Sequence, residues 1–294
     1  MRRASTSSAN QATYAGLLRD VRERFRSGGI PDWSASAEWL TMDALDCTRT
    51  ELFSRGDRLA LPEQVERLED FAHRRLRREP VQYILGYTEF CGLRLQVDHR
   101  VLIPRPETEL LVESIVRVAS SFDGQIRLLD VGTGSGCIAL AAAAMIPGAE
   151  VWAVDSSDDA LEVARSNADA LRLEVHWSKV DILHERKANG PFTIVVSNPP
   201  YIPESDRDTI MPEVAAYEPQ SALFVAGDPL TFYRTILACC EDTLAPGGYV
   251  YFEVNPDFAL DIEALMRDRY AYGETGIELD LAKRRRIVWG RRHE

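Results

Sequence analysis

Asp130-Val131-Gly132-Thr133-Gly134-Ser135-Gly136 is the stretch on which the reading of the fold turns. It follows an apolar run, Ile126 to Val131, that reads as a buried strand, and it opens an Ala-rich helix expected over Gly136 to Met145. Glycines at such a junction let the chain turn tightly and let a ligand approach the backbone. Asp155 ends the next expected strand, Glu150 to Asp155, 23 residues after Gly132. An acid there can hold both hydroxyls of a ribose. The same rhythm continues outward. A helix is expected over Ser157 to Leu171 with Ser157 as N-cap, then strands over Leu173 to Val180 and Phe192 to Ser197. A helix over Thr231 to Leu244, a strand over Tyr249 to Val254 and a helix over Asp261 to Asp268 follow, with two last strands near Gly276 to Leu279 and Arg286 to Trp289. Strands alternating with helices predict an α/β fold built on a doubly wound, mostly parallel sheet.

The loop alone leaves its ligand open. A dinucleotide fingerprint GxGxxG wants Gly or Ala where this chain has Cys137; here the spacing is GxGxG with an acid two residues before the first glycine. A pyrophosphate would use the helix N-terminus as an anion site. S-adenosylmethionine has no phosphate, but its carboxylate and ribose need similar partners, and Asp130 suits its ammonium or sulfonium side. A tight turn that binds nothing and an NAD site are the competing readings.

A second motif narrows the choice. Asn198-Pro199-Pro200-Tyr201 stands directly after the strand Phe192 to Ser197, at the carboxyl end where open α/β sheets bind ligands. Asn198 offers one acceptor and two donors. The prolines remove N–H groups and fix φ, so the carbonyls of Asn198 and Pro199 can face a site without slack. Tyr201 adds a flat apolar surface with a polar edge. This set fits a planar amide or amine, with one N–H on the Asn198 side-chain oxygen and the other on a prolyl carbonyl. An amide nitrogen is a poor nucleophile, its lone pair tied up by about 18–20 kcal/mol of resonance. Two fixed acceptors can aim that lone pair at an incoming methyl group, so the catalytic gain is orientation and electrostatics rather than a strong base.

The first third of the chain reads differently. Tyr14, Leu17, Leu18, Val21 and Phe25 recur at helical spacing after a polar, Ser-rich start over residues 1–12 that is expected to fray. A second helix is expected from Ala35 to about Cys47 with Trp39, Met42 and Leu45 on one side, and a short third helix after the turn over Asp46 to Leu52. Pro62 opens a fourth with Val65, Leu68, Ala72 and Leu76 in one stripe; the charged residues of His73 to Glu79 read as its solvated face. Phe90, Leu93, Leu95, Val97 and then Val101, Leu102 and Ile103 alternate like a hairpin spanning Thr88 to Ile103. Glu107 to Val118 reads as a helix, and Tyr201 to Asp228 as a long irregular segment of the kind that is usually functional.

Composition excludes several classes. The chain has 294 residues, 45% hydrophobic and 27% charged, enough for a buried core without staples. Lys and Arg total 34 against 46 Asp and Glu, a net charge of −12 that argues against broad binding to nucleic acid or anionic membrane. Five scattered cysteines without a CxxC predict reduced thiols and a cytoplasmic protein. Five histidines without HxH or HExxH predict no metal site. The basic start Met1-Arg2-Arg3 has no apolar run behind it, so no signal peptide is expected, and the longest apolar stretch, Cys137 to Pro147, is too short to span a bilayer.

Further motifs carry a resemblance. Glu79-Pro80-Val81-Gln82-Tyr83-Ile84-Leu85-Gly86, then Phe90-Cys91-Gly92-Leu93, then Ile103-Pro104-Arg105-Pro106-Glu107-Thr108-Glu109 resemble the release factor glutamine methyltransferase family (PrmC or HemK type). Tyr217-Glu218-Pro219-Gln220-Ser221-Ala222-Leu223 and Asp280-Leu281-Ala282 match it as well, and the likeness runs from about Ala35 to Arg291. The Asn-Pro-Pro-Tyr motif is shared among several amino-methyltransferases; the segment joining the two domains is far more specific. The resemblance implies a Rossmann-like S-adenosylmethionine-dependent methyltransferase sheet whose last strand is antiparallel. It implies a helical recognition domain over 1–87, a hairpin linker over 88–104 and a catalytic domain over 105–294. It implies methyl transfer from S-adenosylmethionine, leaving S-adenosylhomocysteine, to the side-chain nitrogen (N5) of the glutamine in the Gly-Gly-Gln loop of class I peptide chain release factors. Asp130, Gly132, Thr133, Gly134, Ser135, Gly136 and Asp155 would hold the cofactor, with Asp181 and Ile182 by the adenine. Asn198 would touch both reactants, and Asn198, Pro199, Pro200 and Tyr201 would hold the amide. Arg105 and Glu107 are candidate pocket-wall residues. Two positions depart from the family: Ile182, where an aromatic or other large residue is common, and Tyr217, where Phe is.

Two other readings compete. Asn-Pro-Pro-Tyr can also hold an exocyclic amine of a nucleic-acid base, after base flipping if the base is paired. Only the basic runs Arg74 to Arg78 and Lys283 to Arg292 favour that, against the acidic balance, and no stable nucleic-acid partner is expected. A non-catalytic cofactor sensor would not need Asn198; loss of turnover on Asn198→Ala with cofactor binding retained separates it from an enzyme.

Overall fold

The computed structural model describes residues 12–185, 190–269 and 271–293; the start expected to fray lies almost wholly outside them. The chain divides into two compact units, residues 1–86 and 87–294.

The first unit is helical. Helices α1 (Tyr14–Ser27), α2 (Trp33–Ala44), α3 (Arg49–Ser54), α4 (Pro62–Leu76) and α5 (Val81–Leu85) surround Phe25, Leu40, Leu52 and Leu68. Local chemistry sets the ends. Thr13 Oγ1 accepts from Gly16 N at 3.2 Å to cap α1, Thr48 and Glu51 form a reciprocal capping box on α3, and Pro62 opens α4. The sequence reading erred on three points. α2 buries Ala37, Leu40, Thr41 and Ala44 while Trp39 is 47% exposed. It packs against both α1 and α4, so its small residues face inward. Arg75 is buried instead of solvated: it donates to Asp32 Oδ1 at 2.6 Å, Ser36 Oγ at 3.2 Å and the Glu79 carbonyl at 3.2 Å. A buried guanidinium needs such a full set of acceptors. Helix α5 lies in a segment read from the sequence only as a motif.

The second unit opens with a hairpin, β1 (Tyr87–Phe90) and β2 (Leu93–Gln96), paired Tyr87 to Gln96. Pairing was expected to reach Ile103, but residues 97–105 leave the ladder. The Ile103 N–H goes to the Glu218 carboxylate at 3.2 Å instead. Phe90 and Leu95 pack into the same core as Leu111, Leu128 and Ile194, so the hairpin belongs to the body of this unit. There follow α6 (Pro106–Ala119), β3 (Arg127–Val131), α7 (Cys137–Met145), β4 (Glu150–Asp155), α8 (Asp158–Leu171), β5 (His176–Lys179) and β6 (Phe192–Ser197). Ser157 caps α8, its hydroxyl accepting from Ala160 N at 3.2 Å.

The segment Tyr201 to Asp228, read as irregular, is not. It holds β7 (Ile202–Pro203), a 3-10 turn (Glu204–Thr209), α9 (Pro212–Tyr217), α10 (Gln220–Leu223) and β8 (Phe224–Val225). Pro203, Pro212 and Pro219 each precede or open one of these short helices; in sequence such prolines look like breakers. The chain closes with α11 (Thr231–Thr243), β9 (Leu244–Glu253), α12 (Ala259–Arg267), β10 (Tyr272–Leu279) and β11 (Arg285–Arg292).

The main sheet has seven strands in the order β10-β11-β9-β6-β3-β4-β5. All run parallel except β11, antiparallel to both its neighbours. Alternate residues feed two cores: Leu128, Ile194 and Val196 face α6 and α7, while Leu129, Val131 and Val195 face α11 and α12. Chain order reverses between β3 and β6, which places a crevice at their carboxyl ends. This is the expected doubly wound, mostly parallel sheet, with its last strand antiparallel.

Gly136 fixes the turn from β3 into α7. Its φ is +83°, and a Cβ there would stand 3.1 Å from Leu140 and Trp177 and 3.2 Å from Ala164. Gly136→Ala should therefore lower stability by about 2–4 kcal/mol, summing left-handed strain and overpacking. Thermal or denaturant unfolding measures it, and an unchanged midpoint would contradict the packing described.

Candidate active site

The crevice at the β3–β6 junction is a cleft of about 370 Å³, within the range of small-molecule sites. Its wall includes Gly132 and Gly134 from the glycine loop, Asp155 after β4, Asp181 and Ile182 after β5, and Asn198, Pro199 and Pro200 after β6. Sequence reasoning named all of these. Asp130, Thr133, Ser135, Gly136 and Tyr201 stand outside the wall, as do Arg105 and Glu107.

Each wall residue is held by its surroundings. Gly132 and Gly134 have φ of +75° and +56°, and a Cβ at either would meet nothing within 4 Å. Unlike Gly136, they leave bare backbone facing open space. The Asp155 carboxylate accepts from Gly134 N at 2.9 Å and Ser157 N at 3.0 Å, one bond on each oxygen. Burial raises its pKa and these backbone bonds pull it back. Further lone pairs remain on both oxygens.

Asp130 sits behind the loop, fully buried. Its Oδ2 accepts from Thr133 Oγ1 at 2.6 Å and Ala139 N at 3.2 Å, so it ties the loop to the first turn of α7. Its Oδ1 and the neighbouring Ser135 Oγ are buried without a hydrogen-bond partner among the described residues. Burial pushes the Asp130 carboxyl up to about 7.

The tetrapeptide is pinned at both ends. Ser197 Oγ donates to the Val131 carbonyl at 2.6 Å, locking the end of β6 to the end of β3. On the far side Ile202 pairs with Phe224 in the small β7–β8 ladder. The Asn198 side chain donates from Nδ2 to Thr108 Oγ1 at 3.3 Å. Thr108 in turn donates to Glu253 Oε2 at 2.7 Å. Tyr201 is half-buried outside the cleft; burial, then the charge of Glu253, pushes its hydroxyl up to about 12.

Sequence reasoning missed part of the wall. His99, Arg100, Val101 and Leu102 line it from the segment read as strand, and Pro219, Ser221 and Ala222 line it from α10 and its cap. Glu218 joins these two stretches: buried, it accepts from Ile103 N at 3.2 Å and from Arg105 at 2.6 Å. The motifs around Ile103 and Tyr217 thus converge on one carboxylate. Thr108 and Glu253 were also missed; an acid ending a buried strand was the available signal. Among the described residues no helix is long and apolar enough to cross a membrane and no His, Cys, Asp and Glu cluster could hold a metal ion.

Comparison with known proteins agrees with this architecture. Residues 16–86 match the family described as PrmC N-terminal domain, and residues 106–223 the one described as methyltransferase small domain. The release factor glutamine methyltransferase of Chlorobaculum tepidum is 40% identical over 264 residues, covering 87% of this chain and 90% of its own. That of Deinococcus radiodurans is 38% identical over 280 residues, covering 94% and 97%. The chain belongs to the release factor glutamine methyltransferase family. A methyltransferase structure from Pyrococcus furiosus, 19% identical, superposes with a TM-score of 0.51 over 69% of this chain and 90% of its own, a likeness of fold. The match to the methyltransferase small domain spans the glycine loop and the tetrapeptide but ends before Glu253.

The buried Asp130 makes a pH-dependent contribution in this family member. The folded state keeps its proton up to about pH 7, the unfolded chain only to about pH 4. Between these values the folded state binds more protons, so this group makes stability fall as pH rises, with no further loss above about 7. Asp130→Asn carries no such proton. Its stability relative to wild type should therefore rise from about pH 4.5 to 7 and then level, as read by denaturant unfolding without ligand. A pH-independent difference would contradict the buried carboxyl described.

Proposed function

We propose that this methyltransferase transfers a methyl group from S-adenosylmethionine to the N5 side-chain nitrogen of the glutamine in the Gly-Gly-Gln loop of class I peptide chain release factors. The observation that carries the reading is the placement of Asn198, Pro199 and Pro200 in the same cleft wall as Gly132, Gly134 and Asp155. One cleft can then present an amide to a ribose-bearing donor.

The residues fit the donor. Asp155 has spare lone pairs for two ribose hydroxyls. Gly132 and Gly134 offer backbone with space where a Cβ would stand. Asp181 and Ile182 suit the adenine end, and the unpartnered Oδ1 of Asp130 leaves a polar atom behind the loop. When bound, S-adenosylmethionine supplies an electrophilic methyl group on a positive sulfonium.

The chain's own residues do the rest. Asn198 Nδ2 is engaged by Thr108, which leaves Oδ1 to accept one amide N–H of the substrate glutamine. The Pro199 carbonyl accepts the other. With both N–H groups held, the nitrogen lone pair is directed at the methyl group, and the amide loses its freedom to rotate. The new N–C bond forms as the C–S bond breaks, and the nitrogen then sheds one proton to water. No strong base is required, because the acceptors stabilise the positive charge that grows on nitrogen. We assign partner recognition to the helical domain, residues 1–87, joined by the linker 88–104 to the catalytic domain 105–294.

Incubating the protein with unmethylated release factor and labelled S-adenosylmethionine, then mapping the label by mass spectrometry, tests this reading. Label on the Gly-Gly-Gln glutamine is expected. Asn198→Ala should lower kcat about a hundredfold with cofactor affinity retained. Asp155→Ala should weaken cofactor binding by roughly tenfold to a hundredfold. An unlabelled release factor, or label on nucleic acid, would overturn it.

A further inference from the structure

We propose that Thr108, held by Glu253, is a positioning residue that fixes which way the Asn198 side-chain amide faces. The inference rests on the reading of Asn198 as the amide acceptor.

Three groups from distant parts of the chain form one directional line. Glu253 ends β9, Thr108 lies in the first turn of α6, and Asn198 follows β6. Thr108 and Glu253 are both buried. A hydroxyl has one hydrogen to give. Thr108 spends it on Glu253 Oε2 at 2.7 Å, so only lone pairs are left for Asn198. The Asn198 amide then meets Thr108 with Nδ2, at 3.3 Å. Turned over, it would set Oδ1 against those lone pairs, a contact between two acceptors. The Ser197 anchor and Pro199 hold the backbone on either side, so the side-chain torsions are the freedom that remains to Asn198. The orientation matters because the two faces of the amide have opposite chemistry: Oδ1 accepts a substrate N–H, and Nδ2 repels it.

The line has a polarity that depends on the Glu253 proton. An ionised Glu253 can only accept. A protonated Glu253 can donate to Thr108, and Thr108 then turns its hydrogen toward Asn198 and favours the reversed amide. The groups that face Glu253 act on this balance. Burial pushes its carboxyl up to about 7, Thr108, Arg286 and Arg105 hold it down, and Glu107 raises it. Tyr201, Tyr233 and Cys137 are the other titratable groups that feel its charge, and the Tyr233 hydroxyl donates to the Glu253 main-chain carbonyl at 3.1 Å.

The test is steady-state kinetics on release factor with Thr108→Val, Thr108→Ser, Glu253→Gln and Asn198→Ala, together with cofactor binding by calorimetry. Thr108→Val keeps the shape and removes the hydroxyl. It should lower kcat about tenfold or more, with cofactor affinity unchanged within about twofold. Thr108→Ser, which keeps the hydroxyl, should return kcat to near the wild-type value. Wild-type kcat should fall as pH drops below the Glu253 pKa, and Glu253→Gln should lack that limb. A purely structural role would move the melting temperature but leave kcat of the folded fraction and its pH profile alone. Wild-type kcat in Thr108→Val, with kcat of Asn198→Ala lowered about a hundredfold, would overturn this inference and leave the function standing. A near-wild-type kcat in Asn198→Ala would overturn both. If Thr108→Val does not fold, an acid limb that persists in Glu253→Gln overturns the proposal and its loss supports it.

Discussion

The parallel pairing of β3 with β6, in the register Val131 to Ser197, is the constraint on which the site depends. It brings the ends of two strands together where chain order reverses, so the glycine loop and the Asn-Pro-Pro-Tyr segment leave the sheet side by side. The Ser197 hydroxyl on the Val131 carbonyl adds a buried bond at that point. A slip of one residue in this register would turn every inward side chain of β6 to the other core. It would also carry Asn198 away from the loop. Because both faces of the sheet are covered and both cores are apolar, such a slip is costly, and the site inherits the rigidity of the sheet.

Around that junction, carboxylates do the joining, three of them buried and Asp155 partly exposed. Asp130 binds the loop to α7, Asp155 binds the loop to the start of α8, Glu218 binds the Ile103–Arg105 segment to the stretch before α10, and Glu253 binds α6 to β9 through Thr108. Asp155 and Glu218 accept on both oxygens, Asp130 on Oδ2 and Glu253 on Oε2, since burial of a carboxyl demands partners. Asp130 Oδ1 is buried without a partner among the described residues. The cleft is thus shaped by fixed acceptors already in place before any ligand arrives, which is the condition under which electrostatic catalysis works without reorganisation.

Much of this was legible in the sequence. The strand Phe192 to Ser197 and the glycine run stand out because local pattern and tertiary role coincide, and Gly132 and Gly134 in the run, with Asn198, Pro199 and Pro200 just after the strand, were named as site residues from the sequence. What was not legible depended on distant partners. Trp39 looks like a core residue by spacing, but α2 is squeezed between α1 and α4 and turns its small residues inward. Arg75 reads as solvent-facing until Asp32 and Ser36 are beside it. Thr108 and Glu253 are 145 residues apart, and no local rule pairs them. The short helices between Tyr201 and Asp228 were hidden by prolines that open elements and also break them.

The central claim is that one junction receives both the donor and the substrate amide, with Asn198 between them. A crystal structure of the protein with S-adenosylhomocysteine and glutamine measures this most directly. The account predicts ribose hydroxyls on Asp155 and the glutamine amide nitrogen within hydrogen-bonding distance of Asn198 Oδ1, its Nδ2 still on Thr108. A nucleoside bound away from the glycine loop, or an amide held by residues other than Asn198 and Pro199, would contradict it.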